Sequence, residues 1–447
     1  MKKLYSYQEQ ALNYALKLRR CLLALDMGLG KTLVACHWLK YVKTNKLNSI
    51  IICDPIKLKD WENEVKETMP NAKVFVVNDK KTKEQFIDMT KHSETIFIVS
   101  YGIFRNLVFK VRNLIRHFVN VVVDESQVLK APNTKISKAL LALNNNINYL
   151  LLLSGDPIST GYENLYVQMK LLRCFDETIT YSEFFENFVR YKLVNNGSQY
   201  FKLITGYRNI DYLMKLLHSK AYFLKTEQAI ELPEKRAFKY ESQINKEYKE
   251  LKKNRVLNVG DGIFSADSLI KLFHGLRMLS SGVIKDDSGH MHLVDKQKIE
   301  QLRYLINSSN YNFSIFYNYK AEAKAIKDLC NELGIICYEI NGESNDLEKA
   351  QKETKRFIVL INYQSGARGI DGLQLSVFNQ IYFSLCYSGE LYRQSLKRVH
   401  RIGQQKTVNY YFLIAGNSIE QEIYKALKQS KDYTIEMFKQ DIDQYKY

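Results

Sequence analysis

No apolar run in this 447-residue sequence approaches the roughly 18 to 20 residues that a membrane-spanning helix needs, so no membrane contact of that kind is expected. No two cysteines stand in C-x-x-C spacing. The seven present (Cys21, Cys36, Cys53, Cys174, Cys330, Cys337, Cys386) are scattered, several of them inside apolar runs. An odd, unspaced set argues against a disulfide framework or a zinc site and for reduced core residues of a cytosolic protein. Internal repeats of about 20 to 50 residues, low-complexity tracts and coiled-coil heptads are also missing, which excludes a solenoid and makes a monomer the default. The opening "MKKLYSYQEQALNYALKLRR" has two lysines but no apolar core or small-residue cleavage site after them, so a signal peptide is not expected.

Negative charge is the scarcer sign. Asp and Glu number 48 against 65 Lys and Arg, a net charge of +17. Such an excess attracts polyanions, although lysine spread for solubility gives the same count. Hydrophobic residues at 46% and charged residues at 25% mark a globular chain, and its length suggests two or three domains. The 31 tyrosines supply aromatic faces, most of them expected to pack rather than stack on bases.

Short runs rich in Val, Ile and Leu recur, each ending in a polar or glycine-bearing turn. "CLLALDMG", "SIIICDP", "KVFVVND", "TIFIVSYG", "VVVDES" and "YLLLLSGDP" form one series; "FSIFYN", "IICYEING", "RFIVLIN", "QIYFSL" and "VNYYFLIAG" form a second. Amphipathic stretches between them give buried strands alternating with helices, hence an α/β fold of two parallel-sheet lobes. The charge-rich "FLKTEQAIELPEKRAFKYES", with its Pro233 break, is the candidate linker, dividing the chain into 1–232 and 233–447. A hairpin or helical insertion is expected near 175–222 and a mostly helical one near 244–305. Ligands of open parallel sheets bind at the carboxyl ends of strands, where the unusual polar clusters of this chain lie.

In "CLLALDMGLGKT" a strand, a glycine turn and a helix follow one another, although Leu25 stands where the general phosphate-loop formula has glycine. Gly28, Leu29 and Gly30 would turn backbone N–H groups toward phosphate oxygens. Lys31 would reach the β- and γ-phosphates of a nucleotide, and the Thr32 hydroxyl would ligate Mg²⁺. About 90 residues further on, "VVVDES" places Asp124 and Glu125 at a strand end, one to hold Mg²⁺ and the other to polarise the attacking water. In "LYRQSLKRVHRIGQ", Arg398 and Arg401 are i and i+3, so on a helix they would point one way, as an arginine finger requires; Gln394 and His400 flank them.

The series resembles the SNF2-like ATPases of helicase superfamily 2. "DMGLGKT" is similar to their first motif, in which the formula glycine is also absent. "YSYQEQALNYAL" resembles the opening glutamine motif and makes Gln8 the expected adenine reader. "IIICDPIKLKDWENEV" (with Trp61 and Glu64), "IVSYGIFR", "VVVDESQVLKAPNTKISKAL" and "LLLLSGDPIST" follow in family order. "ELPEK", "LRMLSSG", "VLINYQSGARGIDGLQLS" and "RQSLKRVHRIGQQKTVNYYFLI" complete a likeness over about residues 5 to 425. The resemblance implies two RecA-like lobes that close on ATP and Mg²⁺ and step along duplex DNA. It adds Gln127, Gly369, Asp371 and Gln394 to the ATP site, and Lys57, Lys59, Ser100, Lys130, Ser365 and Arg368 as DNA contacts. Two motifs depart from the family: its DEAH-like tetrad reads Asp124-Glu125-Ser126-Gln127, and Asp371 replaces an expected Asn.

The implied activity is that of an ATP-dependent translocase or helicase on duplex or branched DNA, in replication, recombination or repair. A remodeller stripping proteins from DNA, an ATP-gated DNA clamp and an RNA helicase are the alternatives. The Lys, Asn, Ile and Tyr bias would fit an AT-rich genome, and the small size would suit a bacteriophage or bacterium, hence a bacterial or phage-infected host cytoplasm. Finally, "FVRYKLVNNGSQYFKLITGYRN" (188–209) alternates around Asn195-Asn196-Gly197, a hairpin signal. A packing hairpin is the favoured reading, a wedge beside the DNA path the other.

Overall fold

The computed structural model describes residues 3–42, 48–77, 94–110, 118–158, 161–195, 200–366, 372–429 and 431–444. The chain divides into two units, Met1–Glu231 and Leu232–Tyr447.

The strands of the first unit are β1 (Arg20–Leu25), β2 (Asn48–Cys53), β3 (Lys73–Val77), β4 (Thr95–Ser100), β5 (Phe118–Val123), β6 (Tyr149–Ser154), β7 (Val189–Asn195), β8 (Tyr200–Tyr207) and β9 (Ala221–Leu224). Seven of them form one sheet in the order β3-β4-β2-β5-β6-β1-β9, and every pairing in it is parallel. All six residues of β1, β2 and β4 are buried, which is why these runs are apolar on both faces rather than alternating. Because the strands are parallel, the turns after β1, β2, β4, β5 and β6 leave the same edge. The polar motifs follow those turns.

β7 and β8 stand apart from the sheet as an antiparallel ribbon, paired from Val189↔Tyr207 to Asn195↔Tyr200. The expected Asn196-Gly197 turn lies outside the described residues. The ribbon's root is buried, with Phe188 and Val189 in the interior beside Phe184. Its outer half is exposed, so the packing hairpin expected from the sequence is not what forms.

In the second unit β10 (Lys235–Ser242), β15 (Phe313–Tyr317), β16 (Ile336–Ile340), β17 (Phe357–Asn362), β18 (Asn379–Tyr382) and β19 (Val408–Ala415) make a second sheet. Its order is β10-β19-β18-β15-β17-β16, again parallel throughout. Two expectations need correction. The proposed linker contains β9 at one end and β10 at the other, so only residues 225–234 connect the sheets. β10 escaped notice because it is an edge strand: six of its eight residues are exposed, and its composition is accordingly charged.

The stretch 244–305 is not purely helical. Two small antiparallel hairpins, β11 (Val256–Val259) with β12 (Gly262–Ser265) and β13 (Val283–Lys285) with β14 (Met291–Leu293), separate its helices Lys246–Asn254, Leu269–Ser280 and Gln297–Asn307. The strands of these hairpins are three or four residues long, too short to show a period in the sequence.

Candidate active site

The turn after β1 is built on two glycines in the left-handed region, Gly28 (φ 88°) and Gly30 (φ 75°), with the helix Lys31–Val42 following at once. Gly30 has a second reason to be glycine. A Cβ there would lie 2.3 Å from Gln8 Nε2. Gln8 is buried; its Nε2 donates to Leu29 O (2.9 Å) and its Oε1 accepts from Tyr5 N (2.9 Å). The expected adenine reader therefore buttresses the phosphate loop, keeping one amide hydrogen and one lone pair for anything else. Leu29 points into the core, so only its backbone can face a nucleotide.

Lys31 is buried at the start of its helix, with Nζ donating to Leu25 O at 2.9 Å and to Asp26 O at 3.4 Å. A cation beside helix N–H groups suits a polyphosphate. Asp26, whose role the sequence did not reveal, accepts from the backbone and hydroxyl of Thr226 (3.2 and 3.1 Å) and so ties the loop to the segment after β9.

Asp124 and Glu125 follow β5. Asp124 Oδ2 accepts from Trp61 Nε1 (3.0 Å), and Oδ1 accepts from Glu125 N (3.0 Å). Burial, and then the Glu125 carboxylate beside it, push the Asp124 carboxyl up to about 6, against the Trp61 hydrogen bond and the lysines Lys31 and Lys57. Glu125 adopts φ 45°, ψ 54°, a left-handed conformation uncommon outside glycine. Strain of this kind persists where the surroundings enforce it, and it gathers at functional sites.

Those surroundings form a chain of contacts. Gln127 Nε2 donates to Glu125 Oε2 (2.7 Å), Ser154 Oγ donates to Gln127 Oε1 (2.6 Å), and Asp156 N donates to Ser154 Oγ (3.1 Å). Beyond Ser154, a Cβ on Gly155 would sit 3.3 Å from Met27 Cγ and 3.6 Å from Lys31 Nζ. The ends of β5, β6 and β1, neighbours in the sheet, thus bring Glu125, Gln127, Ser154 and Lys31 into one cluster. Beneath it, Ser126 Oγ donates to Gln168 Oε1 (2.9 Å), and Gln168 Nε2 to Pro157 O (3.1 Å).

The residues expected to hold Mg²⁺ fit such an ion. A hydroxyl (Thr32) and a carboxylate (Asp124) are the hard oxygen donors it takes, and a divalent cation would relieve the negative charge crowded at Asp124. Among the described residues no group of three or more His, Cys, Asp or Glu could hold a metal. An ion sharing phosphate and water ligands with only one or two protein oxygens is consistent with that.

In the second unit Gln394 lies on the helix Gly389–Leu396, its Nε2 donating to Glu390 Oε1 at 3.3 Å. Arg398 and Arg401 do not share that helix, as the sequence suggested. The helix ends at Leu396, and both arginines sit in the turns after it. Gln404 organises those turns, its Nε2 donating to Gln374 O (2.9 Å), Val377 O (3.1 Å) and Val399 O (3.2 Å). His400 Nε2 meets Pro233 O at 2.8 Å. Arg398 is 2% exposed and Arg401 half-buried. Arg368, Gly369 and Asp371 lie outside the described residues, as does the side chain of Ser365.

Of the expected DNA contacts in the first unit, Lys59 is exposed and Lys57 and Lys130 are half-buried. Lys57 pairs with Asp60 (3.1 Å). Ser100 is buried, and its Oγ accepts from Ile103 N (3.4 Å). That hydroxyl helps start the helix Tyr101–Lys110 rather than facing solvent.

Comparison with known proteins bears on this geometry. Residues 7–278 match the model of the SNF2-related domain, and residues 297–403 that of the helicase conserved C-terminal domain. The chain is 26% identical to an uncharacterized ATP-dependent helicase of Mycoplasma pneumoniae, over 94% of this chain and 40% of that protein. It is 23% identical to the DNA annealing helicase and endonuclease ZRANB3 of Homo sapiens, over 97% of this chain and 40% of that one. It therefore spans about two fifths of the length of these curated relatives. The Sulfolobus solfataricus SWI2/SNF2 ATPase core in complex with dsDNA aligns over 99% of this chain and 94% of its own, with 20% identity and a TM-score of 0.45.

Proposed function

The chain belongs to the SNF2-related domain family, and from that membership we propose that it is an ATP-driven motor of duplex or branched DNA. The observation that carries this reading is the chain of contacts from Glu125 through Gln127 and Ser154 to the Gly155 turn against Lys31. A simple phosphatase needs only an anchor and a base. Here the base is wired to the end of β6, so a change of state at the phosphates would displace a whole strand end.

In this reading Glu125 accepts the proton of the attacking water, and its left-handed backbone and the Gln127 amide fix where its carboxylate points. Lys31 leaves its carbonyl partners for phosphate oxygens and offsets their charge in the transition state. Thr32 and Asp124 would hold Mg²⁺, which when bound supplies charge neutralisation at the phosphates. Arg398 and Arg401 are assigned to the transferred phosphoryl group. Lys57, Lys59 and Lys130 are assigned to the DNA backbone.

DNA as substrate is supported by the net charge of +17 and by a relative named as a DNA annealing helicase over 97% of this chain. The test is ATP hydrolysis by the full chain with no polymer, single strands, linear duplex, a four-way junction or RNA. Stimulation by duplex or junction is the expected result, and a preference for the junction would assign branch migration. Stimulation by RNA alone would replace DNA as the substrate.

A further inference from the structure

The ribbon of β7 and β8 has no part in the chemistry above. It is exposed over most of its length, yet it carries large apolar side chains. Leu193 is 64% exposed, Tyr200 73% and Phe201 43%, with Leu203 and Ile204 also open to solvent. Facing partners in the register share a face: Tyr191 pairs Ile204, Leu193 pairs Lys202, and Val194 pairs Phe201. Leu193 and Tyr200 therefore lie on one face and Phe201 and Leu203 on the other, so that neither face of the outer half is polar.

The ribbon is held stiffly at its root. Arg208 N donates to Phe188 O (3.0 Å), Asn209 Nδ2 to Asn187 O (3.0 Å) and Tyr207 Oη to Glu163 Oε2 (2.9 Å). Midway, Lys202 Nζ sits 4.2 Å from the Tyr191 ring centre and 5.1 Å from that of Phe185. It also meets Glu186 Oε1 at 2.8 Å, the oxygen that accepts from Tyr191 Oη. A register irregularity between Arg190 and Tyr191 adds twist at the same level.

Charge decides between occupants. From Val189 to Tyr207 the sequence has three cations (Arg190, Lys192, Lys202) and no Asp or Glu. Arg190 and Lys192 are exposed. A protein partner would be met by apolar side chains within a rim of mixed sign. Glu186 answers Lys202, and exposed aromatics beside the exposed cations Arg190 and Lys192 suit bases that stack while their phosphates lie against those cations. Paired bases are closed to such stacking, whereas unpaired ones are not.

We propose that the outer half of this ribbon, through Tyr200 and Leu193 on one face and Phe201 with Lys192 on the other, binds unpaired nucleotides of single-stranded DNA, as occur at a fork or a junction. The proposal rests on the reading of the chain as a DNA motor. It adds a contact site that the ATP cycle itself does not require.

The test uses the full chain and the variant Tyr200→Ser/Phe201→Ser, whose side chains are exposed and should not affect folding. Binding of a labelled single-stranded oligonucleotide by fluorescence anisotropy is measured beside duplex-stimulated hydrolysis. The expected result is about tenfold weaker single-strand binding, with duplex-stimulated hydrolysis within about twofold of wild type. Tyr200→Trp/Phe201→Trp should restore the affinity. Equal single-strand affinity in wild type and the serine variant overturns the proposal. So does a wild-type self-association, seen by light scattering, that the serine variant loses while its single-strand affinity is unchanged. Absence of duplex-stimulated hydrolysis in wild type would count against the motor reading alone, because the binding measurement stands without it.

Discussion

Gln127 separates two roles that a single acidic pair cannot. Its amide holds the Glu125 carboxylate with one end and the Ser154 hydroxyl with the other. Gln127→Ala and Ser154→Ala should each lower duplex-stimulated kcat by about tenfold, and the double variant should lose little more than either, since both cut one path. Additive losses in that cycle would show two independent contributions. Asp124 gives a pH signature. Its carboxyl, raised to about 6 by burial and by Glu125, holds its proton longer in the folded than in the unfolded chain. That contribution to stability is whole below about pH 4 and is lost as pH rises through about 6. Without nucleotide, wild type should therefore lose about 2 kcal/mol relative to Asp124→Asn between pH 4 and pH 7. Urea unfolding followed by tryptophan fluorescence reads this unit alone, because Trp38 and Trp61 are the only tryptophans and both lie in it. Lys31, Asp124 and Glu125 could be named from the sequence because each sits in a short local pattern. The Gln127–Ser154 contact belongs to no such local pattern: it spans 27 positions and forms because β5 and β6 are adjacent. The left-handed backbone of Glu125 left no sequence mark, since a glutamate there looks like any other.

Among the elements, the strands buried on both faces were readable as unbroken apolar runs, and so were the edge strands β3 and β16, whereas the edge strands β9 and β10 were not. β9 is four residues long and β10 is charged and mostly exposed; each was absorbed into an apparent linker. The helix ending at Leu396 shows the reverse error. The spacing of Arg398 and Arg401 fits a helix, but the backbone turns before them, through a loop that Gln404 knits together. Two helices of the second unit are joined by a buried ion pair that periodicity could not disclose. Lys298 Nζ donates to both Glu420 oxygens (2.8 and 2.7 Å) and to Phe383 O (2.9 Å). Glu420→Ala would leave the ammonium buried without its counter-charge, at a cost of about 3 kcal/mol to this unit. Lys298→Met/Glu420→Leu should recover most of that loss, and calorimetry of the transition not seen by tryptophan fluorescence checks both.

For the whole molecule, the excess positive charge is almost wholly a surface property, although some cations are inside. Arg20, Lys31, Arg277, Lys298 and Arg398 are buried, and Arg20 is held by Asn144 and by the carbonyls of Asn144, Ile147 and Leu171. Asp124, Asp286, Glu322 and Glu420 are buried as well, so the excess open to a polyanion is nearly whole and is spread over many side chains, which is why substitution of single surface lysines is a weak test of DNA binding. Division of labour between the units is a stronger one. Residues 1–231 retain all seven strands of the first sheet together with Lys31, Thr32, Asp124 and Glu125. Expressed alone, they should bind a fluorescent ATP analogue but show no duplex-stimulated turnover, because the proposed function assigns part of the chemistry to Arg398 and Arg401, which belong to the second unit. The most direct measurement of the central claim is duplex-stimulated ATP hydrolysis by the full chain and by Glu125→Gln. The account expects clear stimulation of wild type by duplex DNA and a loss of at least about a hundredfold in kcat in the variant, with nucleotide binding retained. Turnover by Glu125→Gln close to that of wild type would contradict it.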